Sequence, residues 1–396
     1  MQKEKFQVST SSISKQPVLS LLCCSRNDQY MGNSLWRLQT ALNYTAKSVY
    51  EAGREKDVEV LVTDWGSEIP LNTVLQLSPA AARMVSFIIV PPALAQEVQG
   101  DSPFSEVIAF NAAARHADGQ YVGRIDQDTL VGTRFLKTFF ELYEGKRQLD
   151  VPLNSALMLS NRYQIPYRFA SRCPSFWEVD RFIRWFRRFL GGEMYHLPPE
   201  LFLRSYVGIW LVHRDVWYEC GGYNERMKYY DWMETEMILR LMQREYKVVD
   251  LGKLVNYDFY HLEHFPSVVP WSTSVKRQTN PGFDLENPPE LDFQPSGEGW
   301  GLIKYPLEMV RYAPPRNTVA TALSDQPRFK WPSFALLLLS TGVLMVWDKL
   351  FGAFVSRWKH RAKVAWETVR GQPVTKWPGV IKSHLDERHS RLRRGE

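Results

Sequence analysis

Short apolar runs that end in polar or acidic clusters, with helical segments between them, constrain this chain most. Residues 17–24 form a buried-strand pattern closed by Ser25-Arg26-Asn27-Asp28. Residues 58–63 form a second, ended by Asp64-Trp65-Gly66-Ser67, and residues 85–90 a third. Between the first two, residues 33–52 have helical spacing, with Leu35, Leu38, Ala41, Leu42 and Ala46 on one side. Residues 104–117 read as another helix, followed by a short strand over 119–125 that leads into Asp126-Gln127-Asp128. Strands alternating with helices predict an α/β fold whose mostly parallel sheet is flanked by helices. Ligands of such sheets bind at the carboxyl ends of the strands, where these polar clusters would collect.

Asp126-Gln127-Asp128 is the most pointed of the clusters. Two carboxylates one residue apart make a compact oxygen site for Mg²⁺ or Mn²⁺, and such an ion keeps positions open for substrate phosphates. Paired acids are also common in solvated turns, and it is the placement at a strand end that raises this pair. Arg26, at the first strand end, suits a diphosphate or a base; Asp64, at the second, suits hydrogen bonds from a base or ribose.

A second acidic cluster, Asp231-Trp232-Met233-Glu234-Thr235-Glu236, opens a helical pattern over residues 231–246. Glu234 at that helix start is a candidate general base. The plain alternative is that acids there simply complement the helix dipole. Glu236 and Arg240 are spaced as a structural i,i+4 pair. Upstream, Gly221-Gly222-Tyr223-Asn224-Glu225 reads as a tight turn that brings backbone close to a ligand. Finally, His261-Leu262-Glu263-His264 follows an expected strand at 255–260. Imidazole can complete a Mn²⁺ site begun by Asp128, although an isolated pair of this spacing is a weak signal.

Composition adds limits. Residues 349–396 hold 12 Lys/Arg and 4 Asp/Glu, a balance of 12 − 4 = +8 against +6 for the whole chain, which leaves the remainder at 6 − 8 = −2. The basic character belongs to a tail, so a nucleic-acid partner is not expected. The four cysteines show neither metal spacing nor a disulfide framework, and the polar residues 1–16 do not resemble a signal peptide; a reducing, cytoplasmic setting is expected. Residues 152–199 read as less regular, forming loops over the site. Within them 181–189 is amphipathic; the favoured reading packs its aromatics inward and leaves its arginines in water, and the alternative is a grip on a membrane surface or an anionic acceptor. Residues 331–347 carry no charge and have tryptophan at both ends. They fit a short membrane span, an interfacial helix or a buried core helix. Membrane association through 331–355 and the basic tail is the favoured reading.

The segments, in order, resemble the nucleotide-sugar glycosyltransferases of the GT-A fold, close to family 2. The matching pieces are residues 21–28, 62–67 and 110–119, then Asp126-Gln127-Asp128, residues 221–225 and 231–236, and His261 with His264. The resemblance implies a Rossmann-like GT-A domain over 17–281, between a disordered N-terminus (1–16) and an extended linker or wrap (282–330). An apolar helix and basic tail (331–396) would complete the chain. It implies an inverting, metal-dependent transfer from a nucleoside-diphosphate sugar, a UDP-sugar foremost, to a glycan or glycoconjugate acceptor. Arg26, Asp64, Asn111 and Asp126 would face the nucleotide. Asp126, Asp128 and His261 or His264 would hold Mn²⁺ or Mg²⁺. The turn 221–225 would line the acceptor side. The family often has Glu-Asp where this chain has Met233-Glu234, so the base falls on Glu234, with Asp231 in reserve. A non-catalytic, membrane-tethered assembly subunit and a sugar-nucleotide nucleotidyltransferase are the alternatives. The second lacks the usual glycine-rich loop.

Overall fold

The structure is a computed structural model that describes residues 16–186, 208–264, 278–313 and 331–347. The N-terminal segment, the end of the amphipathic stretch 181–189, the rest of the expected wrap and the basic tail lie outside the described residues. The chain divides into two units: residues 1–264 with 277–331, and residues 265–276 with 332–396.

In the first unit the strands are β1 (Leu19–Ser25), β2 (Val58–Trp65), β3 (Val85–Val90), β4 (Tyr121–Arg124), β5 (Thr129–Val131), β6 (Ala156–Ser160), β7 (Tyr163–Ile165), β8 (Ile209–His213), β9 (Lys247–Asp250), β10 (Phe259–Leu262) and β11 (Glu308–Arg311). Eight of them form one mixed sheet in the order β11-β3-β2-β1-β4-β8-β6-β9. Its centre, β3-β2-β1-β4, is parallel, as the alternation of strands and helices predicts. Around it β8 runs antiparallel to β4 and β6, and β11 antiparallel to β3. A second sheet of three strands, β5-β10-β7, sits beyond β4 in the chain.

The helix Ser34–Ala52 buries Leu38, Leu42, Ala46 and Val49 in one hydrophobic cluster with Phe135, Leu136, Phe139 and Phe140. The helix Glu106–Arg115 buries Ala109, Phe110 and Ala113 in another, with Trp210, Trp217, Tyr223 and Met237. Each large side chain removed from water contributes about 1.5–3 kcal/mol before chain entropy is set against it.

Three expectations are corrected. Residues 152–199 hold β6 and β7, strands of both sheets, and not only loops. The expected strand at 255–260 begins as a helix, Leu251–Val255, which Asn256 and Tyr257 end at φ 51° and 50°. The strand therefore starts at Phe259, and His261 lies inside it. In the amphipathic stretch Phe182 and Ile183 are buried, but Trp185 is half exposed, so the aromatic face is not turned inward as a whole.

The expected wrap belongs to the first unit. Arg240, fully buried, donates to Cys220 O (2.9 Å), Gly222 O (2.7 Å) and Phe293 O (3.0 Å) while pairing with Glu236 (2.9 Å). The Arg115 guanidinium lies 3.6 Å from the centre of the Trp300 ring. This strap ends in β11, so the sheet is completed well beyond residue 281.

The helix Trp331–Trp347, in the second unit from Pro332 onward, leaves Leu336, Leu339, Val343 and Val346 exposed, a stripe along one side at i, i+3, i+7 and i+10. Among the described residues no helix is long and apolar enough to cross a membrane.

Gly222 has φ +67°, and a Cβ there would come within 2.2 Å of Asn111 Oδ1 and 2.6 Å of Trp217 Nε1. Its missing side chain makes room for the protein's own core and not for a ligand. Gly222→Ala is expected to lower unfolding stability by about 2–4 kcal/mol, read from urea denaturation, through the clash and the left-handed backbone together.

Candidate active site

Arg124, the last residue of β4, is buried to 4% exposure. One nitrogen, Nη2, lies 2.8 Å from each of three carboxylates: Glu106 Oε1, Asp126 Oδ1 and Glu234 Oε1. These come from the first turn of the helix Glu106–Arg115, the loop after β4, and the first turn of the helix Met233–Met242. Arg162, between β6 and β7, completes the group by bonding Asp126 and donating to Thr129 Oγ1 (2.9 Å). Three acids against two guanidinium groups leave a negative excess.

The excess shows in the titration of the acids. Burial pushes Glu106 up, and Arg124 only partly offsets this against Glu234 and Asp126, leaving it at about 7. Glu234 is likewise raised by burial against the pull of Arg124. Asp126 goes the other way: burial would raise it, but Arg124 and Arg162 outweigh burial and hold it below the usual carboxylate range.

Asp128 belongs to a separate cluster. The backbone bond from Leu262 N to Asp128 O (3.1 Å) and the antiparallel pairing of His261 with Thr129 set its loop against β10. His261 Nε2 lies 3.3 Å from Asp128 Oδ1, and His264 Nε2 3.7 Å from Asp128 Oδ2. The ligand atoms of the three residues lie within 4.8 Å of one another. His261 Nδ1 meets Gln164 Oε1 at 2.5 Å, a bond that leaves Nε2 toward Asp128. Burial lowers both imidazoles, His264 to about 3, so both are neutral, the form that binds metal. Burial would raise Asp128, but the polar groups around it, the Arg37 guanidinium among them, hold it well below the carboxylate range. One carboxylate and two neutral imidazoles converging on one point fit a divalent cation.

The structure thus separates what the sequence joins. Asp128, His261 and His264 come together. Asp126, expected to share the metal, is clamped between two arginines and is not part of the donor cluster. Asp64 is buried, and its carboxylate accepts from Ser67 Oγ and Leu71 N (2.7 Å), so it braces its own turn. Asn111 is fully buried. It bonds Tyr223 N (2.8 Å), Tyr223 O (2.9 Å) and Glu225 Oε1 (2.9 Å), which ties down the 221–225 turn and leaves nothing for a cofactor. Arg26 stays 28% exposed, paired with Asp28 at 2.8 Å. Asp231 is exposed, and its Oδ1 accepts from Trp232 N at 3.0 Å. Sequence reasoning missed Glu106, Arg124, Arg162 and Arg37. The one available signal was an arginine standing inside an otherwise apolar strand just ahead of the acidic triplet.

No protein-family model matches the chain, and no curated protein matches it. Among solved structures it is similar to S. aureus TarS residues 1–349, at 13% identity and TM-score 0.38. That match covers 62% of this chain and 60% of the TarS chain, so the chain spans about three fifths of it. The same TarS region in complex with UDP gives 14% identity and TM-score 0.37. The catalytic domain of Drosophila β1,4-galactosyltransferase 7, in complex with xylobiose, gives 13% identity and TM-score 0.36 over 68% of this chain and 78% of that one. These are distant likenesses of shape.

Removing the Arg124 charge at the hub leaves three partly buried acids facing one another. Arg124→Met is expected to cost about 3–5 kcal/mol of stability in denaturant unfolding. Titration gives a second test. The folded chain holds the Glu106 proton more tightly than the unfolded chain does, so stability falls as pH rises from the ordinary glutamate range through about 7. Glu106→Gln should remove about 1–3 kcal/mol of that fall between pH 5 and pH 8, seen as a flatter dependence of the urea midpoint on pH.

Proposed function

We propose that the chain is a nucleotide-sugar glycosyltransferase of the GT-A type. More particularly, it transfers a sugar with inversion from a UDP-sugar to a hydroxyl of a glycan or glycoconjugate, using a divalent cation. The observation that carries this reading is the convergence of Asp128, His261 and His264 beside a buried carboxylate hub just past the carboxyl end of β4. Two imidazoles and one carboxylate favour Mn²⁺ over Mg²⁺, which prefers oxygen ligands and water. When bound, the cation would supply charge stabilisation for the departing diphosphate.

The chain's own residues account for the rest. Arg26, partly exposed at the end of β1, offers positive charge to the donor phosphates. Glu234 takes the acceptor proton: burial raises its affinity for a proton, while Arg124 fixes one of its oxygens. The acceptor oxygen bonds to the anomeric carbon as the bond from that carbon to the diphosphate breaks, and the acceptor proton passes to Glu234. Asp231, exposed to water, is the reserve base.

The exposed stripe Leu336, Leu339, Val343 and Val346 supports a lipid surface as a further partner, with the basic tail adding attraction to anionic headgroups. Binding to anionic liposomes should be salt-sensitive and should vanish when residues 331–396 are removed.

A screen of UDP- and GDP-sugars for Mn²⁺-dependent thermal stabilisation tests the donor assignment; stabilisation by none of them would refute it. Asp128→Asn should abolish the Mn²⁺-dependent part of the stabilisation and keep the fold. Glu234→Gln should leave donor binding near normal and cut turnover about 10²–10⁴-fold. Normal turnover in that variant would move the base elsewhere.

A further inference from the structure

Arg37 lies in the second turn of the helix Ser34–Ala52, where a solvated arginine would be unremarkable, yet it is only 2% exposed. Its guanidinium faces two things at once. Nε lies 3.4 Å from Asp128 Oδ2 and donates no hydrogen bond. The two Nη atoms gather three successive carbonyls of the preceding loop: Nη2 donates to Tyr30 O (2.8 Å), and Nη1 to Met31 O (3.4 Å) and Gly32 O. Those carbonyls converge because Met31, Gly32 and Asn33 take consecutive left-handed conformations, φ 55°, 69° and 53°. Two of the three are not glycine, so the turn needs outside support, and the fork of Arg37 supplies it. The same loop meets the cluster again through the Tyr30 ring, 6.3 Å from that of His264.

The loop also carries Arg26, whose Nε donates to Asp28 Oδ2 (2.8 Å), while Asp28 Oδ1 accepts from Tyr30 N (2.8 Å). A continuous path therefore runs from the residue offered to the donor phosphates, through the turn, to the carboxylate of the cation cluster.

We propose that Arg37 is a positioning residue that makes cation loading at Asp128 conditional on the nucleoside diphosphate. This rests on the glycosyltransferase reading. Asp128 is already balanced by a fixed positive charge that the three carbonyls hold in place. A dication arriving alone meets that charge at close range and must share the Asp128 carboxylate with it. A diphosphate arriving with the cation brings the missing negative charge and removes the penalty. By linkage, whatever UDP adds to Mn²⁺ affinity, Mn²⁺ adds to UDP affinity. The cation and donor then enter as a pair.

The test measures Mn²⁺ binding directly, by calorimetry and by the electron-spin signal of free Mn²⁺, with and without UDP. In the wild type, Mn²⁺ alone should bind weakly and UDP should tighten it strongly. Arg37→Met should bind Mn²⁺ alone at least about tenfold more tightly, because a neighbouring like charge has gone, and the gain on adding UDP should shrink to match. Arg37→Lys keeps the charge and loses the fork. It should retain wild-type Mn²⁺ affinity within about threefold, while amide exchange across residues 28–34 accelerates. Equal Mn²⁺ affinity in wild type and Arg37→Met, with an unchanged UDP effect, would overturn the coupling and leave the cation site standing. No Mn²⁺ binding in any variant, with or without UDP, would overturn the cation site and the coupling together. Should Arg37→Met fail to fold, tightened Mn²⁺ binding in Arg37→Lys would itself overturn the charge account.

Discussion

One buried nitrogen organises the candidate site. Arg124 Nη2 contacts carboxylates from a strand end and from two helix starts that are far apart in sequence, each at 2.8 Å. A guanidinium taken out of water is tolerable only where its charge is matched and its donors are spent, and here three acids compete for it. The competition fixes the relation between the parallel centre of the sheet, which carries Arg124, and the helix Met233–Met242, which carries Glu234. It also produces the opposite titration of neighbouring acids, Glu106 and Glu234 raised and Asp126 lowered, within a single group of contacts.

Two charged assemblies thus stand side by side with different jobs. Around Arg124 and Arg162 three carboxylates share two permanent cations, and Asp126, bonded to both, braces the loop after β4. Around Asp128 the partners are two neutral imidazoles and one arginine, a balance that a dication and its anion can alter. The short link Gln127 separates them, and Ser25 Oγ holds its side chain at 2.5 Å, so the carboxyl end of β1 sets the spacing of both.

The parallel centre of the sheet, both large helices and the Asp128–His261–His264 set could be read from sequence because each rests on a local pattern. Residues 85–90 alternate too little to be anything but a buried strand, and the long helix keeps one apolar side throughout. Arg37, Arg124 and Arg162 could not be read this way. An arginine on a helix or at a strand end is solvated by default, and these three are buried because carboxylates brought in from other elements meet them, joined for Arg37 by the carbonyls of the loop just before its helix. Asp64 and Asn111 show the converse. Their positions at motif sites suggest a ligand, while in the fold their polar atoms bond Ser67 and Leu71, and Tyr223 and Glu225. The strap over 278–313 lacks hydrophobic periodicity because its anchors, Trp300 and the carbonyl of Phe293, are single points, and no pattern search responds to one residue.

β11 closes the sheet at the β3 edge, reaching back across more than two hundred residues to pair Glu308 with Ile89 and Arg311 with Ser86. Without it, β3 would present a row of unpaired amides and carbonyls along Val85–Val90, apolar and flat, the kind of edge that recruits strands from other molecules. The strap is in this sense a guard against self-association as well as a support for the core. A boundary drawn where the sequence motifs stop would produce a fragment that retains every candidate site residue and yet is prone to aggregate.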